Sequence, residues 1–300
     1  MNFPQAKLKS GRFLDCGPAR GAWNMAVDEV LLDNCRSHLA SGGPPGEAPF
    51  TFRLYAWSPA ALTLGRNQSA RRDVFIERLS KEGIDLCRRL TGGRAVLHDR
   101  EITYSVVGSE ALLGDTIEES YRRISEGLAA GLGRLGISAE FAPPSGGAYA
   151  SQPSCFATTS VWEISIGGRK VAGSAQCREG RAILQHGSIL LDSPEDRLAS
   201  LLRDRSSGES QARETSQARE TSQVRETSQA DHAAGLCEVL GREVSYREAA
   251  LALRGGMEET FGSFLDEPLT GEEAERARKA ERRRYADSAW TMGRETGPAP

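Results

Sequence analysis

The segment RRLTGGRAVLHDREITYSVV, residues 88–107, joins an arginine pair and a diglycine turn to two β-rich arms. Gly92 and Gly93 have no Cβ, so the backbone can bend sharply there and present its amide groups to a ligand. Arg89 and Arg94 flank this turn and suit an anionic group such as a phosphate or a carboxylate. An ordinary β-turn with solvated arginines has the same spacing, and the segment alone leaves both interpretations open.

Strand-like segments on both sides of this stretch predict an α+β fold. They are FTFRLYAW, ALTLGR and IDLCRRL before it and SVWEISI, RKVAGSAQ and RAILQHGSILLD after it. Helices interrupt these strands too rarely for a doubly wound sheet, in which strand and helix alternate. The segment AVLHDREITYSVV, residues 95–107, has a polar centre at Asp99–Glu101 and predicts a β-hairpin. We therefore predict a mixed, largely antiparallel sheet flanked by helices.

Capping boxes predict where several helices begin. Thr116, Ser245 and Thr270 are each followed three residues later by a glutamate, so that the two side chains can bond each other's backbone N–H groups. A further helix is expected between an entry loop at Gly17 and Leu39, where apolar residues recur at helical spacing.

Composition excludes several classes of protein. The chain has 300 residues, enough to bury a core without disulfides, with 39% hydrophobic and 26% charged residues. Its net charge of −3 argues against a nucleic-acid binder, which would be strongly basic. No signal peptide is visible, and no apolar run approaches the roughly 18 residues that a spanning helix needs. We therefore expect a cytoplasmic protein with no membrane partner.

A polar repeat interrupts the predicted domain. The sequence ARETSQARETSQVRETSQ occupies residues 212–229. Six residues advance a helix by about 240°, so successive repeats present different faces and no apolar stripe forms. We predict one domain over residues 1–290, with a disordered insertion at about 204–231 and a flexible tail at 291–300. A partner-binding coil is the alternative for the repeat.

The cysteines raise the question of a nucleophile. All six lack the CxxC or Cys/His spacing of a zinc site, so no metal site is predicted. Cys155, in SQPSCF, taken alone is more simply a packed thiol than a reactive one. Lys170 follows it in RKVAGSAQ, and a nearby cation lowers the pKa of a thiol. Cys177 has only an arginine beside it and is expected to be structural.

Several motifs, in this order, resemble the lipoate-protein ligase and octanoyltransferase family, which has the biotin/lipoate ligase catalytic fold. They are GAWNMAVDEVLL, ALTLGRNQ, RRLTGGRAVLHDREITYSVV, RKVAGSAQ, RAILQHGSILLD and RRRYADSAW. The resemblance covers most of the chain from Arg12 to Trp290, apart from the repeat. PSCF at Cys155 resembles the octanoyltransferase branch, which uses an acyl-thioester cysteine. Arg94, where ligases more often have a third glycine, points the same way.

The resemblance implies transfer of an octanoyl group from acyl carrier protein to a lysine of a lipoyl-domain protein, such as the glycine cleavage H protein. The group would be held as a thioester on Cys155, and no cofactor would be needed. Lys170 would be the second catalytic residue, lowering the Cys155 pKa and stabilising the oxyanion. The implied substrate-binding residues are Arg89, Gly92, Gly93, Arg94, His98, Gly173, Ser174, Ala175 and His186.

Two other functions stay open. GRNQ, residues 65–68, is commoner in the ligases, which activate lipoate with ATP and magnesium as an adenylate. In that alternative, Lys170 would hold the carboxylate and α-phosphate oxygens. A non-catalytic relative that only binds an acyl group is the more remote alternative.

Individual polar residues also have two interpretations. His98 and His186 are acid–base candidates, but each can equally satisfy a backbone group within a strand. Asp28, with its neighbours Asn24 and Glu29, either closes the acyl site or has a solvated or helix-capping role. The arginines expected to steer acidic partners are Arg71, Arg72, Arg88, Arg89 and Arg100.

Overall fold

The computed structural model describes residues 10–141, 162–203 and 233–293. It confirms the α+β class, with mixed sheets flanked by helices. The strands are β1 (Gly11–Ala19), β2 (Thr51–Trp57), β3 (Ala61–Leu64), β4 (Asp85–Arg88), β5 (Val96–His98), β6 (Glu101–Ser109), β7 (Glu140–Phe141), β8 (Ile164–Ile166), β9 (Arg169–Lys170), β10 (Ala172–Glu179), β11 (Ala182–Leu190) and β12 (Phe264–Asp266).

The helices form layers on these sheets. They are α1 (Gly21–Ala40), α2 (Ala70–Asp73), α3 (Ile76–Glu82), α4 (Glu110–Leu113), α5 (Ile117–Arg134), α6 (Glu195–Leu201), α7 (Leu236–Leu240), α8 (Tyr246–Phe261), α9 (Gly271–Ala280) and α10 (Ser288–Met292). None of the helices in the described part of the chain has the length and apolar character needed to span a lipid bilayer.

The predicted helix starts are confirmed. Thr116 and Thr270 each form a reciprocal capping box with the glutamate three residues later, and the Ser245 side chain accepts a bond from the Glu248 N–H. The predicted tail begins inside α10, and residues 294–300 lie outside the described residues. The predicted insertion at about 204–231 also lies outside them.

The central sheet has six strands in the order β10-β11-β6-β2-β1-β12. Its first four strands pair antiparallel, whereas β1 runs parallel to both β2 and β12. The prediction of a mixed, largely antiparallel sheet is therefore confirmed. Because β10 is at the edge, alternate backbone groups of that strand face away from β11.

The predicted hairpin at Asp99–Glu101 is wrong. β5 pairs with β3 in a second sheet of order β4-β3-β5, whereas β6 enters the central sheet between β2 and β11. Both arms are buried, and each finds its partner strands in a different sheet. The exposed residues Asp99 and Arg100 consequently link two sheets instead of closing a hairpin turn.

Strand β2 shows how the two faces of the central sheet are used. Phe52 and Leu54 belong to the core beneath α5 and α8, whereas Tyr55 and Trp57 belong to the core beneath α1 and α9. This division follows from the alternation of side chains along a strand. Since helices cover both faces, even the charged residue Arg53 of this strand is fully buried.

Glycines allow α5 and α8 to pack closely. A Cβ on Gly131 of α5 would lie 2.7 Å from the Leu253 Cα, and a Cβ on Gly256 of α8 would lie 2.0 Å from the Gly131 nitrogen. Both contacts are with backbone atoms, which cannot move aside without separating the helices. By contrast, a Cβ on Gly133, two residues further along α5, would meet no atom within 4 Å.

We predict opposite effects of the same change at two positions of α5. Gly131→Ala should lower the free energy of unfolding by roughly 1–3 kcal/mol because it overpacks the helix contact. Gly133→Ala should raise it by about 0.5–1 kcal/mol because alanine is the better helix former. Urea unfolding of the two variants measures both changes, and equal effects at the two positions would contradict the packing described.

Candidate active site

Two rows of cross-strand partners form one wall of the site, on the sheet face that α1 covers. The first row is Ala175, His186, Ser105 and Arg53, on β10, β11, β6 and β2. The second row is Gly173, Ser188, Thr103 and Tyr55 on the same strands. Directly opposed residues on neighbouring strands have Cβ atoms about 4.5–5.5 Å apart. The sheet register alone therefore brings polar residues from four strands together.

Asp28 of α1 is buried against the first row. Its Oδ1 accepts hydrogen bonds from Arg53 Nη1 at 2.7 Å and from the Ser105 hydroxyl at 2.9 Å. Its Oδ2 accepts from the Tyr55 hydroxyl at 3.0 Å and lies 3.1 Å from His186 Nδ1. The alternative of a solvated Asp28 is therefore wrong, because α1 lies between the sheet and the C-terminal helices.

The charges of this cluster are set by burial and by the partners together. Burial alone would raise the pKa of Asp28, but Arg53 and His186 outweigh it and hold that pKa below its ordinary value. Burial lowers the pKa of His186, and Asp28 offsets this only in part, so the imidazole is neutral at pH 7. Since a carboxylate only accepts, Nδ1 carries the ring proton, and Nε2 accepts from the Thr91 hydroxyl at 2.7 Å.

His98 is held in a similar way. Its Nδ1 lies 2.8 Å from Glu101 Oε1, and its Nε2 lies 2.7 Å from the Thr63 hydroxyl. The ring stacks on Trp57 with centroids 4.0 Å apart, and Trp57 Nε1 donates to the Thr103 hydroxyl at 2.7 Å. The partners of the ring are thus side chains, not the backbone groups that the structural alternative required.

Arg89 holds the diglycine turn through its carbonyl groups. Its Nη2 donates to the carbonyl oxygens of Gly92 at 3.1 Å and Arg94 at 2.8 Å, and its Nη1 donates to that of Thr63 at 3.0 Å. Gly93 has a φ of +87°, which glycine adopts without strain. Arg89 therefore orders the turn, while anion binding by its side chain stays a prediction.

The diglycine turn and the edge strand β10 meet beside one cavity. A Cβ on Gly93 would lie 3.8 Å from the Ala175 Cβ. Met25, Trp57 and Val96 supply apolar surface to the cavity, as is usual for small-molecule sites. The predicted site residues that line it are Arg89, His98, Gly173, Ser174, Ala175 and His186.

Lys170 is buried on β9, three residues before Gly173. Its Nζ forms an ion pair with Glu163 Oε1 at 2.8 Å, and the side chains of both residues are at most 3% exposed. A buried pair of this kind fixes the position of the ammonium group. Four of the predicted site residues, Lys170, Gly92, Gly93 and Arg94, are described by the structure but are not among the residues that line the cavity.

Cys155 lies outside the described residues, so its proximity to Lys170 stays a prediction. Burial raises the pKa of Cys177 and of Cys87 to about 12, and that of Cys35 to about 11. Such thiols are poor nucleophiles at neutral pH, as expected for packing residues. The described part of the chain contains no cluster of three or more His, Cys, Asp or Glu side chains arranged to hold a metal.

Several residues that orient the site were not predicted. Arg53 and Glu101 are charged residues of otherwise apolar strands, and Glu163 directly precedes the apolar strand β8. This is a usable signal because a buried charge needs a buried partner. Thr63 and Thr91 carry no such signal, since threonine is common in exposed strands as well.

The expected surface of arginines is only partly present. Arg88 and Arg89 are buried and bonded to backbone carbonyls, so they cannot face a partner. Arg100 is exposed but pairs with two carboxylates. Arg71 and Arg72 are exposed on α2, which follows the Gly65 loop, and Arg72 pairs with Asp73 at 3.0 Å.

The cavity and its motifs define an acyl-handling enzyme of the lipoate family. The family model of the lipoyl protein ligase A/B catalytic domain matches residues 20–253, and the chain belongs to this family. An octanoyltransferase LipM of Kyrpidia tusciae is 41% identical over 290 residues, covering 93% of this chain and 98% of that protein. The LipM of Bacillus subtilis is 36% identical, covering 94% and 98%.

Solved structures agree on the fold. A lipoate-protein ligase A bound with ATP matches with a TM-score of 0.74 at 25% identity, covering 95% of this chain and 99% of that one. A lipoate protein ligase of T. acidophilum with bound lipoic acid has a TM-score of 0.72 at 24% identity, covering 95% and 100%. The expected family and fold are confirmed, and the relatives support octanoyl transfer in lipoylation. The thioester on Cys155 stays a prediction.

We predict that His186 makes stability depend on pH near neutrality. Its folded-state pKa lies below the ordinary 6.5, so the unfolded chain takes up the proton first as pH falls. Stability is therefore lost from about pH 6.5 downward, whereas the corresponding loss from Asp28 begins only near pH 3.8. Between pH 7.5 and 5.5, His186→Gln should lose roughly 1 kcal/mol less than the parent in urea unfolding. If the unfolding free energies of the variant and the parent changed in parallel with pH, the result would contradict a neutral, buried His186.

Proposed function

We propose that this enzyme carries an octanoyl group as a thioester on Cys155 and transfers it to a lysine of a lipoyl-domain protein. The observation that carries the proposal is the approach of the diglycine turn to β10, whose residues Gly173–Ala175 line the cavity, with Lys170 fixed by Glu163 just before that strand. These are the elements that an acyl-transfer site needs: an apolar cavity, backbone donors and a cation.

The first step transfers the acyl group to the enzyme. The Cys155 thiolate attacks the thioester carbonyl of octanoyl acyl carrier protein, and the carbonyl electrons move onto oxygen. The donors that we propose for this oxyanion are the backbone N–H groups within Gly173–Ala175 that face away from β11, together with the Lys170 ammonium. When the oxyanion collapses, the carbon–sulfur bond to the carrier breaks, and its thiolate leaves and takes up a proton.

The second step transfers the group to the acceptor. The neutral ε-amine of the lipoyl-domain lysine attacks the enzyme thioester, and the same donors face the second oxyanion. Cys155 leaves as a thiolate, and the amine nitrogen loses a proton to give the amide. Conversion of a thioester to an amide is downhill, so we propose that no ATP, metal or other cofactor takes part.

The proposed partners are octanoyl acyl carrier protein as donor and a lipoyl-domain protein such as the glycine cleavage H protein as acceptor. The second candidate function is ATP-dependent lipoate ligation. It is favoured by the sequence GRNQ of the Gly65 loop, residues 65–68, which resembles the ligases. This loop lies beside the diglycine turn, since the Arg66 N–H donates to the Thr91 carbonyl at 2.9 Å.

Intact mass after incubation with octanoyl acyl carrier protein tests the nucleophile. The parent should gain one octanoyl group, and Cys155→Ala should gain none because it lacks the attacking sulfur. Cys177→Ala is the matched control and should still be acylated, since burial raises the pKa of that thiol to about 12.

The other outcomes separate the alternatives. Lipoate-dependent ATP consumption by Cys155→Ala would establish the ligase in place of the transferase. If the parent showed neither an octanoyl adduct nor ATP consumption, the remaining interpretation would be a protein that only binds acyl groups. If neither Cys155→Ala nor Cys177→Ala formed the adduct, the result would contradict a specific role for Cys155.

We also predict that electrostatic steering by Arg71 and Arg72 speeds capture of the acidic carrier. Raising ionic strength from about 0.05 to 0.5 M should lower kcat/KM for the carrier-bound donor several-fold. Octanoyl-pantetheine, which lacks the acidic protein, is the control and should change little. Replacing both arginines with serine should flatten the salt dependence, and an unchanged dependence would exclude these residues.

A further inference from the structure

Arg88 donates from each of its three side-chain nitrogens to backbone carbonyls of two distant segments. On one side, Nη1 donates to the carbonyl oxygens of Gly65 at 2.9 Å, Arg66 at 3.1 Å and Gln68 at 2.6 Å. These three residues form the loop that follows β3. The guanidinium thereby fixes the shape of this loop from within.

The other side of Arg88 binds the C-terminal segment. Its Nε donates to the Trp290 carbonyl at 2.9 Å and its Nη2 to the Thr291 carbonyl at 2.7 Å. The Trp290 indole Nε1 donates in return to the Arg88 carbonyl at 3.1 Å. Helix α10 is thus tied by three hydrogen bonds to a residue 202 positions earlier in the chain.

The buried charge of Arg88 is better explained by the arrangement of carbonyls that it holds than by a gain in the stability of the fold. Arg88 is 2% exposed, and within the described residues no carboxylate forms an ion pair with it. Burial and the adjacent Arg89 both lower the pKa of Arg88, so the site opposes its charge. A guanidinium nevertheless offers five N–H donors in a fixed plane, and no other side chain can hold five carbonyls in one arrangement.

The loop that Arg88 shapes lies directly against the diglycine turn. A Cβ on Gly65 would be 2.0 Å from the Gly93 carbonyl oxygen, and the Arg66 N–H donates to the Thr91 carbonyl at 2.9 Å. Arg89 holds the same turn from its other side. A shift of the Gly65 loop therefore cannot occur without a shift of the turn.

We propose that Arg88 is a positioning residue for acyl transfer and that α10 belongs to the framework of the active site. Arg88 touches no reacting atom in this proposal. It acts through the Gly65 loop, which sets the distance between the diglycine turn and the donors of β10. The inference rests on the proposed function for its effect on rate, but the clamp itself is measurable without any activity.

Two variants of the clamp and one matched control test this inference. Arg88→Lys keeps the charge but loses the planar set of five donors, and Trp290→Phe removes the indole N–H bond while keeping an aromatic ring beside Tyr285 and Arg284. Arg12→Lys is the control because Arg12 also donates to two carbonyls, those of Glu267 and Pro268, but far along the chain from the turn. All three should be compared with the parent in two measurements.

The first measurement is amide hydrogen exchange followed by mass spectrometry. Arg88→Lys and Trp290→Phe should speed exchange in residues 65–68 and 91–94, while α5 stays as protected as in the parent. The second is the rate constant for acyl-enzyme formation at saturating octanoyl-pantetheine. This rate should fall on the order of 10- to 100-fold in Arg88→Lys, since displacement by about 1 Å carries such a cost. Trp290→Phe should show a smaller fall, and Arg12→Lys neither effect.

The outcomes distinguish the inference from the proposed function. Unchanged exchange in both clamp variants would overturn the clamp, and faster exchange with an unchanged rate would overturn its role in positioning. If Arg88→Lys does not fold, Trp290→Phe decides between these results. A parent that forms no acyl-enzyme would instead refute the proposed function, while the exchange data would still report on the clamp.

Discussion

Asp28 of α1 places an ionised carboxylate in the protein interior. The carboxylate accepts hydrogen bonds from side chains of three strands of the central sheet, β2, β6 and β11. An unpaired charge there would cost several kcal/mol, so the three strands and α1 must keep the register that supplies Arg53, Ser105 and His186. Burial keeps His186 neutral, and the contact with Asp28 fixes its proton on Nδ1. Folding and site geometry therefore depend on one buried charge.

The diglycine turn depends on a second device, a pair of adjacent arginines. Side chains of successive strand residues point in opposite directions, so Arg89 reaches inward to the carbonyls of the turn while Arg88 reaches outward to the Gly65 loop and α10. Both guanidinium groups bond backbone carbonyls, which the sequence pattern alone did not suggest. Arg89 in addition lines the cavity.

Much of the fold was predictable because local signals agreed with the tertiary structure. The alternation in β2 and the capping boxes at Thr116 and Thr270 each identified an element correctly. The hairpin prediction at Asp99–Glu101 was wrong because the local sequence shows only a polar break between two strands. That break looks the same whether the strands pair with each other or join different sheets. For the site, Ser174 and Ala175 were predictable from their motif, whereas Thr63 and Thr91 were not.

The sequence by itself determined the family, the α+β class and the presence of a diglycine turn with a later lysine, since these are carried by residue types at fixed spacings. Only the tertiary structure decided which side chains meet. Cross-strand register placed His186 opposite Ser105, and the burial of α1 turned Asp28 from a candidate surface residue into the centre of a hydrogen-bond network. Register and burial depend on contacts between distant segments, and local spacing contains no information about those distances.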